Sequence, residues 1–284
     1  MPKLPAVAIL PNGTATTSAM RWAKRLMLFL LVLFLAPVVA SGTLWALADR
    51  PANWRAADWG SSGLLPAPAS DPDAVIHILA ARTGGMKGAL SVHSWIVTKR
   101  AGQSSYDRYE KVGWGLPIRK NGNPADGRWY SNDPFIVASL RGPKAALAIA
   151  KVEEAIAGYP HRVRGAYRIW PGPNSNSFVA HVLRRVPELG TVLPPNAIGR
   201  DYPADGRLFS ADPDWRDFHF SLFGLAGLSI GLRSGFEVNL LGLAAGIDIL
   251  RPAIKLPAVG RFGFGGASPE AARPRLSPWP RRSS

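Results

Sequence analysis

From Leu26 to Ala48 the chain carries no charged residue, and Arg21, Lys24 and Arg25 stand directly before that run. As a helix rising about 1.5 Å per residue it reaches roughly 35 Å, enough to cross a hydrocarbon core of about 30 Å. Water solvates such a surface poorly, so this stretch constrains the molecule before any other feature. The cations on one flank, against the mixed Asp49 and Arg50 on the other, place the N-terminus in the cytoplasm and the remainder across the membrane. A cleaved signal peptide is the competing reading. Leu26 to Ala36 is apolar, Pro37 ends that stretch, and Val38-Val39-Ala40 before Ser41 suits a cleavage site. The apolar character continues to Ala48, which favours an uncleaved anchor, and residues 1–25 are expected to be a disordered cytoplasmic extension. A single-pass membrane protein follows, with its main domain on the non-cytoplasmic side.

The chain has 34 Lys and Arg against 19 Asp and Glu, a net charge of +15. That balance suits an anionic membrane surface or an acidic polymer. No recognition motif accompanies it, so nucleic acid is not an expected partner. Membrane lipid is, together with a cell-envelope polymer or lipid ligand. Cysteine is absent, which excludes disulfides, thiolate zinc sites and cysteine nucleophiles. The five histidines (77, 93, 161, 181 and 219) lack metal-ligand spacing; neither a metal nor a cofactor is expected.

Residues 49–73 are proline-rich and read as a membrane-proximal linker, with Trp54 and Trp59 as interfacial contacts. An α+β domain over 74–262 follows, with a mixed or antiparallel sheet, two main helices and a C-terminal β-meander. Ala74–Ala81 reads as a buried strand and Ala89–Thr98 as a second. The second places Val92, Ser94, Ile96 and Thr98 on one face and His93, Trp95 and Val97 on the other. Tyr106–Trp114 looks like its hairpin partner, Asn121-Gly122-Asn123-Pro124 is turn chemistry, and Arg128–Ser139 holds a strand interrupted by Asp133-Pro134. Pro143 opens a helix to about Ala157 with Ala145, Ile149, Val152 and Ile156 on one side. Ala166–Trp170 reads as a short strand, and Asn174 caps a second helix running to about Val186. Phe218–Leu256 is apolar and Gly-rich, interrupted by Arg233, Glu237 and Asp248; the alternation in Phe236-Glu237-Val238-Asn239-Leu240 favours strands, and the stretch reads as the meander. Residues 263–284, rich in Pro, Arg, Gly and Ser, are expected to form a disordered basic tail.

One segment points to chemistry. Trp170-Pro-Gly-Pro-Asn174-Ser175-Asn176-Ser177-Phe178 sets Ser175 in the first turn of a helix, where exposed amides favour a developing anion. His93 is the best available base. Asp107, Glu110 and His161 are candidates to orient it, Glu110 being taken as the third member. Trp114, Trp129, Trp170 and Tyr130 are candidates to line a groove for a sugar or lipid. The plainer alternative is that Asn174 and Ser175 cap a helix and His93 is a core histidine.

The Asn174, Ser175 and Phe178 pattern, with His93-Ser94-Trp95 on an earlier strand, resembles the permuted papain-like enzymes, including lecithin:retinol acyltransferase relatives. Those enzymes carry a cysteine where Ser175 stands. A helix terminus shifts a thiol near 8.5 into its reactive thiolate, but a hydroxyl titrates far higher, so Ser175 would need His93 within about 3 Å. Several longer runs are similar to an uncharacterised bacterial membrane family, domain of unknown function 3750. They are His93-Ser-Trp-Ile-Val, Tyr109-Glu-Lys-Val-Gly-Trp-Gly, Asp126-Gly-Arg-Trp-Tyr, the Trp170–Phe178 segment and Leu193-Pro-Pro-Asn-Ala-Ile-Gly-Arg-Asp-Tyr202. Glu237-Val-Asn-Leu-Leu-Gly-Leu and Arg251-Pro-Ala-Ile-Lys-Leu-Pro257 belong with them, so the resemblance spans roughly 25–262. It implies a membrane location and brings no known activity. Two functional classes follow: an enzymatically silent, cleft-bearing envelope protein, or a serine-dependent hydrolase or acyltransferase acting on a lipid, peptide or cell-wall amide or ester.

Overall fold

The computed structural model describes residues 13–263. Helix α1, Gly13–Leu47, contains the whole apolar run and Pro37. Residues 13–25, expected to be unstructured, are helical: Ala and Thr before the run extend the same hydrogen-bonded ladder once it is nucleated. The expected extension over 1–12 and the basic tail from 264 lie outside the described residues.

Five antiparallel strands form the first sheet: β1 Val75–Arg82, β2 Val92–Lys99, β3 Asp107–Lys111, β4 Ile118–Lys120 and β5 Phe135–Arg141, in the order β4-β3-β2-β1-β5. The two long central strands are buried on both faces, so each face needs a cover. Helices α2, Gly142–Ala157, and α3, Ser175–Arg185, cover one. Val92 and Ile96 meet Ala145, Ile149, Val152, Phe178 and Val182 there. The opposite face holds Trp95, Val97 and Trp129.

The cover on that second face corrects the expected linker. Trp59 and Leu65 pack onto the second cluster, and Trp59 lies edge-on to Trp129 at 5.1 Å. Asp126 pins the segment by accepting from Ser61 Oγ at 2.6 Å and Leu65 N at 3.2 Å. Trp59 is therefore half-buried against that cluster, while Trp54 remains exposed. With both helices on one face, this proline-rich strip is what keeps water from the other.

Seven further antiparallel strands follow in simple order: β6 Phe209–Ala211, β7 Asp217–Leu222, β8 Ala226–Gly231, β9 Gly235–Leu240, β10 Leu243–Asp248, β11 Ala253–Leu256 and β12 Gly260–Gly263. The expected meander is present and is wider by a strand at each end. Its alternation is inverted relative to a soluble sheet. Asp217, His219 and Ser221 are buried along β7, while Phe218 and Leu222 are exposed. Along β9, Glu237 and Asn239 are buried and Phe236 and Leu240 exposed.

Ala166–Trp170 is not a strand. Its backbone turns back on itself, with Arg168 N donating to Pro173 O at 2.9 Å, and no neighbouring strand edge is offered to it. Strand β4 was not anticipated, since three residues carry too little alternation to register.

Candidate functional site

Asn174 caps α3 with a reciprocal pair of bonds: its Oδ1 accepts from Asn176 N and Ser177 N, and its own N–H donates to Ser177 Oγ at 2.7 Å. The second asparagine works outward. Asn176 Nδ2 donates to Val92 O and to Ile198 O, both at 2.9 Å, and its Oδ1 accepts from Ser94 Oγ at 2.8 Å. Asn174 Nδ2 reaches Ile169 O and Ile198 O. Gly199, at φ +95°, permits that approach, because a Cβ there would stand 2.2 Å from Asn174 Nδ2. The Trp170–Phe178 segment, the His93-Ser94-Trp95 strand and the Leu193–Tyr202 loop are thus joined by one buried knot of amide hydrogen bonds.

His93 lies on the other side of the sheet from this knot. Ser94 points to α3, so by strand alternation His93 points with Trp95 to the tryptophan face. There its ring stacks on Trp129, centroids 3.6 Å apart and planes 6° from parallel. His93 Nε2 meets Glu110 Oε2 at 3.1 Å. Arg108 Nη2 donates to the same oxygen at 2.8 Å and Asn123 Nδ2 to the other at 2.8 Å. Arg108 also lies 4.0 Å over the Trp95 ring. Burial by itself would raise the Glu110 carboxyl, but His93 and Arg108 outweigh it and hold it at about 2. Burial pushes His93 down despite Glu110. The ion pair is therefore Arg108 with Glu110, and a neutral His93 donates into it.

Ser175 sits on the helix side and is buried, close to Tyr167. Nearby, Lys111 Nζ donates to His161 O at 2.7 Å and lies 5.6 and 6.0 Å from the rings of Tyr159 and Tyr167. Tyr159 Oη is 3.1 Å from Ser177 Oγ. Lys111 makes no ion pair among the described residues, and burial lowers its amine to about 8. Burial raises Tyr167, with Ser175 opposing, so its phenol stays protonated and offers Ser175 no base.

Of the anticipated site residues, the fold unites His93 with Glu110 and sets Ser175 apart from both. Asp107 pairs with Lys120 at 3.2 Å on the strand edge, and His161 contributes only its carbonyl to Lys111. Trp129 and Tyr130 cluster together, with Trp114 stacked outside Trp129 at 6.2 Å. Trp170 instead bonds Leu241 O in the meander. Sequence reasoning missed Arg108, Lys111 and Asn123. Arg108 and Glu110 two apart on one strand were a usable signal; Asn123, brought in by a turn, offered none. Among the described residues no group of three or more His, Asp or Glu side chains is arranged to hold a metal ion.

A second polar layer lies beneath the meander. Glu237 bonds both Arg200 and Lys255, Arg233 meets Asp212, Asp214 and Asp217, and His219 Nε2 is 3.3 Å from Asp212. Arg200 follows the Asn-Ala-Ile-Gly loop of the knot, so this layer ties the meander to the first sheet's domain. The cavity between them, lined by Leu183, Arg200, His219 and Glu237, measures about 30 Å³, room for about one water molecule rather than a substrate.

Comparison with known proteins gives one match. The family model described as "Protein of unknown function (DUF3750)" matches residues 73–202, the first sheet, α2, α3 and the knot. No curated protein and no solved structure matches, and the resemblance to permuted papain-like enzymes finds no support. The matched residues begin after α1 and end just before the meander, inside the expected 25–262. Over residues 73–202 the chain is similar to the uncharacterised family DUF3750.

Proposed function

We propose that this is an enzymatically silent, single-pass protein of a bacterial inner membrane, with its N-terminus cytoplasmic and its family domain on the periplasmic face. One observation supports the silent reading above others: β2 directs His93 and Ser94 to opposite faces, so the sheet separates the expected base, His93, from Ser175. Each residue of the apparent motif already has a structural partner. The membrane reading draws on a 30-residue stretch of α1, Ser18–Leu47, long and apolar enough to span a bilayer. Alkaline phosphatase fused after Gly60 should be active in intact cells; a fusion active only in the cytoplasm would reverse the topology.

A fluorophosphonate probe tests the silence. No labelling of the full chain in its membrane is expected. A second reading, a serine-dependent hydrolase or acyltransferase, draws on Lys111, a buried amine without a carboxylate on the same side as Ser175. Labelling lost in both Ser175→Ala and Lys111→Met, and retained in His93→Ala, would replace the silent reading with that one.

A further inference from the structure

The outer face of the meander is apolar in every strand. Cross-strand pairing lines up Phe218, Ile230, Phe236, Ile247, Ile254 and Phe262 in one continuous row across β7 to β12, and each of the six is at least 40% exposed. With strands about 4.8 Å apart and two to three such rows, the plate covers roughly 400 Å². Soluble monomers rarely leave so large an apolar surface open. The turn tips continue it: Trp215, Phe223 and Leu241 all adopt positive φ, a conformation bulky residues avoid, and all three are exposed.

Helix α1 identifies the occupant. Phe34 and Ser41 are buried, and Pro37, Val38, Gly42 and Trp45 half-buried, at the spacing of one helix face. That face packs on the turn Gly85–Ala89 and on β10 and β11. Ser41 Oγ donates to Ala89 O at 2.5 Å, and Trp45 Nε1 to Gly85 O at 2.9 Å. From Phe34 to Trp45 is roughly 16 Å of helix, about half of what a bilayer core requires. A helix in lipid therefore carries the edge of the meander to the membrane with it.

We propose that the apolar face of β7–β12 docks onto the hydrocarbon surface of the bilayer that α1 enters, which rests on the membrane reading of α1. Among the described residues the sheet is open at β6 and β12, so its edges keep unpaired backbone groups that hydrocarbon cannot satisfy. It lies flat, inserted to about the depth of a side chain. Arg216 and Arg251, exposed beside the apolar turn tips, meet anionic headgroups at the rim.

The chain has no cysteine, so single labels are clean. Full-length Phe236→Cys, Ile254→Cys, Leu31→Cys in α1 and Ala146→Cys on the outer side of α2 are each labelled with an environment-sensitive fluorophore. Each is then placed in vesicles of phosphatidylethanolamine and phosphatidylglycerol containing brominated lipid. Quenching of about twofold or more is expected at the first three positions and none at Ala146→Cys. Quenching at Leu31→Cys alone would overturn the docking while sparing the anchor; quenching at none would remove the anchor too. Disulfide-linked pairs formed by the unlabelled Phe236→Cys protein on exposure to an added oxidant, with its labelled form unquenched, would overturn it in favour of a second copy. Leu228→Cys, on the same face, replaces Phe236→Cys if that variant fails to fold.

Discussion

The two sheets of this chain alternate with the same period of two and resolve it in opposite ways. In the five-stranded sheet both faces are dry. Phe178, Val179 and Val182 cover one side, and Trp129 with the 49–73 segment covers the other. In the seven-stranded sheet the polar phase points inward and the apolar phase outward. The inward charges are tolerated because each finds an opposite: Glu237 with Arg200 and Lys255, Arg233 with Asp217, Asp248 with Arg261. Alternation sets which residues share a face, but only the surroundings decide which face meets water.

The contrast can be broken by mutation, and the largest effect belongs to the apolar core. Phe178→Ala should cost about 4 kcal/mol in chemical denaturation of the detergent-solubilised protein, by lost transfer and an unfilled cavity. A loss below about 1 kcal/mol would mean the helix side of the five-stranded sheet is not a packed core. Glu237→Ala should cost about 3 kcal/mol, because Arg200 and Lys255 are left buried without their carboxylate. Its strand neighbour Phe236→Ser, on the other face, should cost about 1 kcal/mol or less. Equal costs at 236 and 237 would erase the inversion.

Lys111 sharpens the comparison from the other direction, as a buried cation without an opposite among the described residues. Its folded value near 8 lies below the ordinary 10.5, so the charged form is penalised only in the folded state. The penalty is full below pH 8 and fades as pH rises toward the unfolded value. Stability should therefore climb between pH 8 and 10, and Lys111→Met should abolish the climb and stabilise by about 1–2 kcal/mol at pH 7. A flat profile in the unsubstituted protein would contradict the burial argument. Asn174→Ala should likewise cost about 1–2 kcal/mol through the lost cap, with no change in probe labelling.

Much of the fold was legible because local signals were strong. The uncharged run marked α1, Pro143 and the stripe to Ile156 marked α2, and Asn174 marked the start of α3. The covering of the tryptophan face was not legible, since Trp59 and Asp126 meet only through tertiary packing. The site was half-legible. His93 and Glu110 have the right chemistry for each other, yet choosing Glu110 over Asp107 requires the register: Arg108 pairs with Val97 and Asp107 with Thr98, so parity places Glu110 on the His93 face. The separation of Ser175 follows from the same parity once Ser94 is seen to bond Asn176. Period two in the meander was visible over Phe236–Leu240, but nothing in it told which phase would be buried.

The inversion of the seven-stranded sheet is tested most directly by a nitroxide scan of β9, residues 236 to 240, in the full-length protein held in a bilayer. Collision rates with oxygen and with a water-soluble nickel chelate are read at each position. Oxygen access at 236, 238 and 240, with 237 and 239 shielded from both reagents, is expected. Nickel access at the even positions, or a profile without a period of two, would contradict it.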